Sequence, residues 1–321
     1  MKILLFGPQN AGKTSLMQMT CLGYDFMKVS NLKPTKGISR ENFMYRGVML
    51  LNIWDAGGQE RYMERYFSDE QRASIFSEVA TPIFMVDSTE LNHNTKDMFN
   101  KFLQSIFEYS SEVANVYVLL NKIDLPNSKA DVIYKVLMEE VDENLKQKLI
   151  FTPVSVKAGS AQHRLIEILD FELQKSTMSM QRLGKIKQNL SELKSKSLAE
   201  YLLFSLPDGL LITSTFSAYD QLKDYQLNYL NFERNSIDIS LDKIYRKSIE
   251  ILKRSSVSSL GLSTIVYESD ICFIILKEVT EASVIMAITD NKIPKVYTDI
   301  MNAFTSKDFE KLKESLRSTG Y

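Results

Sequence analysis

The stretch Gly7-Pro-Gln-Asn-Ala-Gly12-Lys13-Thr14 carries the most specific chemistry in the sequence. It fills the pattern GxxxxGK[ST] between an apolar run and a helical stretch, the setting in which this pattern wraps a phosphate. The glycines let the backbone bend so that N–H groups of Gly7, Gln9, Asn10, Ala11, Gly12 and Ser15, at the mouth of a helix, face an anion. Lys13 would neutralise the β- and γ-phosphates, and the Thr14 hydroxyl would ligate Mg²⁺. Alone, such a loop leaves ATPases, kinases and GTPases open.

Asn121-Lys122-Ile123-Asp124 narrows that choice, because it ends an apolar strand where a base-reading loop belongs. The Asp124 carboxylate can accept hydrogen bonds from both N1–H and the 2-amino group of guanine. Adenine offers no such donor pair and would leave the carboxylate unmatched, a penalty worth roughly 10⁴-fold in discrimination. Asp55, in Trp54-Asp55-Ala-Gly-Gly58-Gln59, is suited to hold Mg²⁺ through water. Gly58 could offer its N–H to a γ-phosphate, and Gln59 could orient an attacking water. Thr35, in Pro34-Thr35-Lys36-Gly37, reaches the metal only if its segment folds inward over a triphosphate. Ser155, Val156 and Lys157 supply a final loop against the base. Taken singly, Thr35 and Ser155 are ordinary polar loop residues; their order within the set is what gives them weight.

The elements that would position these residues alternate. Apolar runs suited to buried strands fall at Lys2–Gly7, Met49–Trp54, Thr81–Val86, Val116–Leu120 and Leu149–Val154. A short edge strand is expected at Glu41–Tyr45, before an Arg46–Gly47 turn. Lys96–Tyr109 repeats apolar residues at helical spacing (Met98, Phe99, Phe102, Leu103, Ile106). Strands alternating with helices predict a doubly wound, mostly parallel α/β sheet, with ligands at the carboxyl ends of its strands.

The rhythm changes after residue 175. Leu183, Ile186, Leu190 and Leu193 make a narrow stripe with lysines around it. The stripe is read as an amphipathic helix docking on a second domain, with a membrane-surface helix or a dimer seam as alternatives. Tyr201–Leu206 and Leu210–Phe216 flank Pro207-Asp208-Gly209, a hairpin signal. A helix over Leu241–Arg254, strands at Ser263–Tyr267, Ile271–Leu276 and Ala282–Ile288, and a terminal helix would complete an α+β domain with an antiparallel sheet. The expected domains are 1–178 and 179–321. No catalytic constellation is visible in the second.

Composition sets the outer bounds. The chain has 321 residues, 44% hydrophobic and 25% charged, enough for two domains with separate cores. Its 39 basic and 40 acidic residues give a formal charge of −1, without the basic excess that nucleic acid binding would need. Two cysteines (Cys21, Cys272) and two distant histidines (His93, His163) argue against a disulfide framework or a zinc site. No run of 18 uncharged apolar residues suggests a membrane span. Lys2 stands where myristoylation needs glycine, and the closing RSTGY offers no cysteine for prenylation. A cytoplasmic location is expected, with any membrane contact made through a partner.

The ordered set resembles the Ras superfamily. The run Gly57-Gly58-Gln59, Met63, Tyr66-Phe67, Gln71-Arg72 and Ile75-Phe76 is similar to switch II of the Rag/Gtr GTPases. In the second half, Tyr201-Leu-Leu-Phe204 and Phe309-Glu-Lys-Leu312 also resemble that family, whose members carry a carboxyl-terminal roadblock (longin-like) domain. Asn121, where eukaryotic Rags often have histidine, and Pro34 and Gly37 look more like Arf or Ras proteins and suit a divergent or archaeal-type member. The resemblance implies a GTP/GDP- and Mg²⁺-binding switch in nutrient signalling. It further implies pairing with a second Rag-like or roadblock-bearing chain, GTPase-activating and exchange proteins, and recruitment to lysosome-type membranes by a scaffold. A low-activity dimerisation scaffold and an Arf-like trafficking GTPase remain as alternatives.

Overall fold

The computed structural model describes residues 1–90, 93–216, 231–234, 237–240, 248, 251, 263–268, 270 and 272–317. The chain divides into two compact units. The first comprises Met1–Phe43 and Leu50–Ile166; the second comprises Met44–Met49 and Glu167–Tyr321.

The first unit is built on a six-stranded mixed, mostly parallel sheet of β1 (Lys2–Phe6), β2 (Ile38–Tyr45), β3 (Met49–Ala56), β4 (Val79–Asp87), β5 (Val116–Asn121) and β6 (Leu149–Pro153). Its strand order is β2-β3-β1-β4-β5-β6, and β1 lies parallel to both β3 and β4. Every residue of β5 is buried, as expected of a strand covered on both faces. The helices are α1 (Lys13–Leu22), α2 (Phe26–Val29), α3 (Glu60–Tyr66), α4 (Asp69–Phe76), α5 (His93–Tyr109), α6 (Ala130–Met138), α7 (Glu143–Lys146) and α8 (Ser160–Lys175). All five residues of the stripe expected on α5 are buried. Phe99 and Phe102 of that stripe join Phe6, Phe76 and Phe84 in an aromatic core, with Phe6 stacked on Phe102 at 5.2 Å between ring centroids.

Two features of this unit go beyond the sequence reading. β2 runs from Ile38, three residues earlier than expected. The segment after Gln59 forms the two short helices α3 and α4. Asp69 and Glu70 in the first turn of α4 complement the positive end of its dipole.

The second unit holds α9 (Thr177–Lys194), β7 (Glu200–Ser205), β8 (Leu211–Ser214), β9 (Asn231–Arg234), β10 (Ile237–Ser240), β11 (Thr264–Glu268), β12 (Phe273–Thr280), β13 (Ser283–Thr289), α10 (Pro294–Ala303) and α11 (Lys307–Arg317). Five strands make an antiparallel sheet in the order β11-β12-β13-β7-β8. A separate antiparallel pair, β9 with β10, has no counterpart in the sequence reading.

The leucine stripe of α9 is buried. This helix docks on α11 within the unit, where Arg182 donates to the Leu316 carbonyl at 2.8 Å and Asn189 to that of Lys311 at 3.3 Å. The single terminal helix expected from the sequence is two helices. Ser306 caps the second, accepting from the Phe309 N–H at 3.4 Å. The helix expected over Leu241–Arg254 lies outside the described residues apart from Ser248 and Ile251, both helical.

Candidate functional site

Four loops at the carboxyl ends of β1, β3, β5 and β6, together with the segment before β2, bring the sequence-selected residues together within the first unit. The loop after β1 turns through left-handed backbone at Asn10 (φ 63°) and Gly12 (φ 95°) to start α1 at Lys13. A side chain at Gly12 would press on Asn121, because an added Cβ would lie 2.6 Å from its Nδ2. Only glycine meets both the torsion and the approach.

Lys13 is buried and spans its own loop, donating to the Gly7 and Pro8 carbonyls at 2.8 and 2.7 Å. Burial lowers its pKa to about 8, opposed by the Asp55 carboxylate. Gly58 passes so close to this loop that an added Cβ would overlap the backbone of Pro8 and Gln9. The Gln9 N–H donates to the Gly58 carbonyl at 3.1 Å.

Three oxygen-bearing side chains from three segments converge beside Lys13. Thr14 Oγ1 donates to Asp55 Oδ2 at 2.5 Å, and Thr35 Oγ1 donates to the same oxygen at 3.1 Å. The two hydroxyl oxygens are 2.8 Å apart. The Gly57 N–H donates to the Gly37 carbonyl at 2.8 Å and ties the two outer segments together. Asp55 Oδ1 is buried with no hydrogen-bond partner, and burial raises the Asp55 pKa against the pull of Thr14, Lys13 and Thr35. A buried carboxylate oxygen without a partner, beside two hydroxyls, is a donor set that suits a hard divalent cation. A cavity of about 300 Å³ opens over these groups, lined among others by Gln9, Asn10, Gly12, Ser15, Gly58 and Gln59. Among the described residues no arginine lines it.

The loops expected to read the base are locked to the loop after β1. The Asn121 amide is buried, donating to the Ala11 carbonyl at 2.8 Å and accepting from the Val156 N–H at 3.0 Å. Ser155 Oγ donates to the Asp124 carboxylate at 2.6 Å and accepts from the Ala158 N–H at 2.9 Å. Asp124 and Lys157 are exposed.

Asp87, at the end of β4, escaped the sequence reading. Lys122 Nζ pairs with it at 2.5 Å, anchoring the base loop from below. Burial pushes the Asp87 carboxyl up, but the bonds from Lys122 and Thr89 outweigh this and leave its pKa lowered. The available signal was an acidic residue closing an otherwise apolar strand beside the base loop.

A P-loop, an oxygen cluster fit for Mg²⁺ and a base loop on a mixed α/β sheet define a nucleotide-binding protein of the GTP-binding class. A model described as the Gtr1/RagA G protein conserved region matches residues 2–236. The chain belongs to the Gtr/Rag family of GTP-binding proteins. It is 26% identical to the GTP-binding protein GTR1 of Saccharomyces cerevisiae over 298 residues, covering 86% of this chain and 91% of that one. The Ras-related GTP-binding protein A of Dictyostelium discoideum is 31% identical over 142 residues, 44% of this chain and 46% of that protein. The Ras-related GTP-binding protein B of Rattus norvegicus is 30% identical over 179 residues, 46% of each chain. Among the described residues no helix is long and apolar enough to cross a membrane.

Proposed function

We propose that this chain binds GTP and GDP with Mg²⁺ and hydrolyses GTP slowly, as a two-state switch of the Rag/Gtr type. The observation that carries the reading is the meeting of Thr35 with Thr14 and Asp55, residues 21 and 20 positions from it in sequence. A segment held inward in this way is what a site selective for a triphosphate requires.

In this reading the loop amides from Gly7 to Ser15 and the Lys13 ammonium hold the phosphates. Thr14, Thr35 and, through water, Asp55 would hold Mg²⁺, which when bound neutralises charge on the phosphate oxygens. The Gly58 N–H marks the γ-phosphate, and Gln59, at the start of α3, orients the attacking water. Asp124 reads the guanine edge, with Asn121, Lys122, Ser155, Val156 and Lys157 shaping the base pocket. With no arginine among the described residues that line the cavity, the intrinsic rate stays slow, and a partner supplies the missing positive charge. An exchange protein would reverse the cycle.

The antiparallel domain, taken as residues 179–321, serves pairing with a second Rag-like or roadblock-bearing chain. That pair would bring it from the cytoplasm to a membrane-bound scaffold in nutrient-type signalling. The main rival is a nucleotide-loaded scaffold that hydrolyses nothing. Chromatography of nucleotide released from the purified chain, and phosphate release by the chain and by Gln59→Leu with an activating partner, decide between them. The switch reading expects guanine nucleotide in both proteins and a partner-accelerated rate that Gln59→Leu abolishes. A rate indifferent to Gln59 contradicts it. Sedimentation of the full chain at micromolar concentration, alone and with a roadblock-bearing chain, tests pairing; a monomer under both conditions removes that part.

A further inference from the structure

The segment between α2 and β2 forms part of the wall of the 300 Å³ cavity and is tied at both ends. At its start the Ser15 hydroxyl donates to the Val29 carbonyl at 3.0 Å. At its end Thr35 meets Thr14 and Asp55, and the Gly37 carbonyl accepts from the Gly57 N–H at 2.8 Å. Leu32, Lys33 and Pro34, between those ties, line the cavity that Gly58 and Gln59 also line. All of these residues belong to the first unit.

Lys13 and Lys33 are the cationic side chains among the described residues that line this cavity, and they are held differently. Lys13 is buried and engaged with the Gly7 and Pro8 carbonyls. Lys33 is exposed and, among the described residues, makes no hydrogen bond or ion pair. By contrast, the exposed Lys101, Lys175 and Lys311 each pair with a neighbouring carboxylate at 2.8–2.9 Å. Pro34 restricts Lys33 to extended backbone, and in an extended chain residues two apart share a side. Lys33 thus takes the side of the segment that Thr35 turns to the cavity. About 7 Å of chain separates the two residues, a gap that the flexible four-carbon stem of lysine spans.

We propose that Lys33 is a specificity-determining residue, whose ammonium contacts the terminal phosphate of a bound triphosphate and so favours GTP over GDP. The inference rests on the reading above that Thr35 is drawn inward over the triphosphate. Lys33 rides on the same segment, and with GDP bound it has no third phosphate to meet. An exposed lysine is not held in advance for a transition state, so it retains GTP without supplying the charge that speeds cleavage. The assignment adds to phosphate recognition a residue that lies outside every motif of the set.

Dissociation of a fluorescent non-hydrolysable GTP analogue and of fluorescent GDP tests it on the full chain. The parent, Lys33→Met, Lys33→Arg, Thr35→Ala and the Lys33→Met/Thr35→Ala double variant are compared; Lys33 is exposed, so its variants should fold. Lys33→Met should release the triphosphate analogue about tenfold faster and GDP within about twofold of the parent, the size of one charge-assisted contact at an exposed site. Lys33→Arg keeps the charge and should stay within about threefold of the parent for both nucleotides. In the Thr35→Ala background Lys33→Met should change triphosphate release by less than about twofold. Added salt should speed triphosphate release from the parent more than from Lys33→Met, because it screens an exposed charge. Equal acceleration of both nucleotides, acceleration of neither, an effect of Lys33→Arg as large as that of Lys33→Met, or a salt response that survives Lys33→Met would overturn the proposal. A parent that binds no guanine nucleotide, or triphosphate release indifferent to Thr35→Ala, would instead overturn the functional reading itself.

Discussion

The two units bury charged side chains in different ways. In the first, buried polar groups cluster where loops meet, and one of them, Asp55 Oδ1, has no partner. In the second, the principal buried charges are Arg46, Asp170 and Asp208, and they are joined to one another and to backbone. Leaving a buried carboxylate oxygen without a partner costs on the order of 1–3 kcal/mol, so a fold keeps one where a ligand completes it. A satisfied cluster asks for no ligand and holds a shape. The contrast separates a buried charge left open to a ligand from buried charges closed on one another.

The sharpest way to break the contrast is at the base loop. Asp124→Asn replaces two acceptors with one acceptor and one donor. Preference for guanine over xanthine nucleotides should fall by roughly 10⁴-fold, read by competition binding. A variant that binds GTP as tightly as the parent would mean that Asp124 does not face the base.

The second unit should answer to packing instead. Phe309 on α11 is 1% exposed, with its ring 5.5 Å from that of Phe304. Phe309→Ala should destabilise that unit by about 3–5 kcal/mol. GTP affinity measured well below the melting transition should stay within about twofold. Loss of nucleotide binding at that temperature would show that the two behaviours are not separable.

Acidity offers a third handle. Burial pushes the Asp208 pKa up to about 6 in the folded chain, against ~3.9 for a free aspartate. Between those values the folded state keeps a proton that the unfolded state has released, so stability falls as pH rises from about 4 to about 6. At about 1.4 kcal/mol per pH unit the loss is at most about 3 kcal/mol. Hydrogen exchange along β7 and β8 should show it, and Asp208→Asn should flatten the slope. Stability that climbs over that range along these strands would contradict the assignment.

The smallest effect returns to the first unit. Ser155→Ala removes the hydroxyl that holds Asp124 at 2.6 Å. Because Asp124 is exposed, the cost should be about 1 kcal/mol, or roughly fivefold in GTP affinity. A loss a hundred times larger would place Ser155 against the ligand itself.

What the sequence disclosed follows from how each element is stabilised. β4 and β5 are buried over nearly their whole length, so their apolar runs read plainly. The leucines of α9 and the aromatic stripe of α5 each lie on one buried side of their helix, which keeps the helical period clean. α3 and α4 were missed because their sequences, ERYMERY and DEQRASIF, bury few residues each and carry no sustained stripe. The division of the terminal helix was legible in Ser306, a capping residue before Lys307-Asp308-Phe309. The motif residues stand out because the patterns they fill fix residue type and spacing together. Asp87 and the Arg46–Asp170 pair were not, since each depends on partners brought close by folding: Asp87 and Lys122 are 35 positions apart, and Arg46 and Asp170 are 124.

The central claim, that this is a GTP-hydrolysing switch whose chemistry lacks one positive charge, is tested most directly by single-turnover hydrolysis. Chain loaded with γ-labelled GTP and started with Mg²⁺, without any partner, should release phosphate at about 10⁻³ s⁻¹. Release near 1 s⁻¹ would show that a stabilising group already lies within the chain, and GTP that is bound but never cleaved would leave a scaffold in place of a switch.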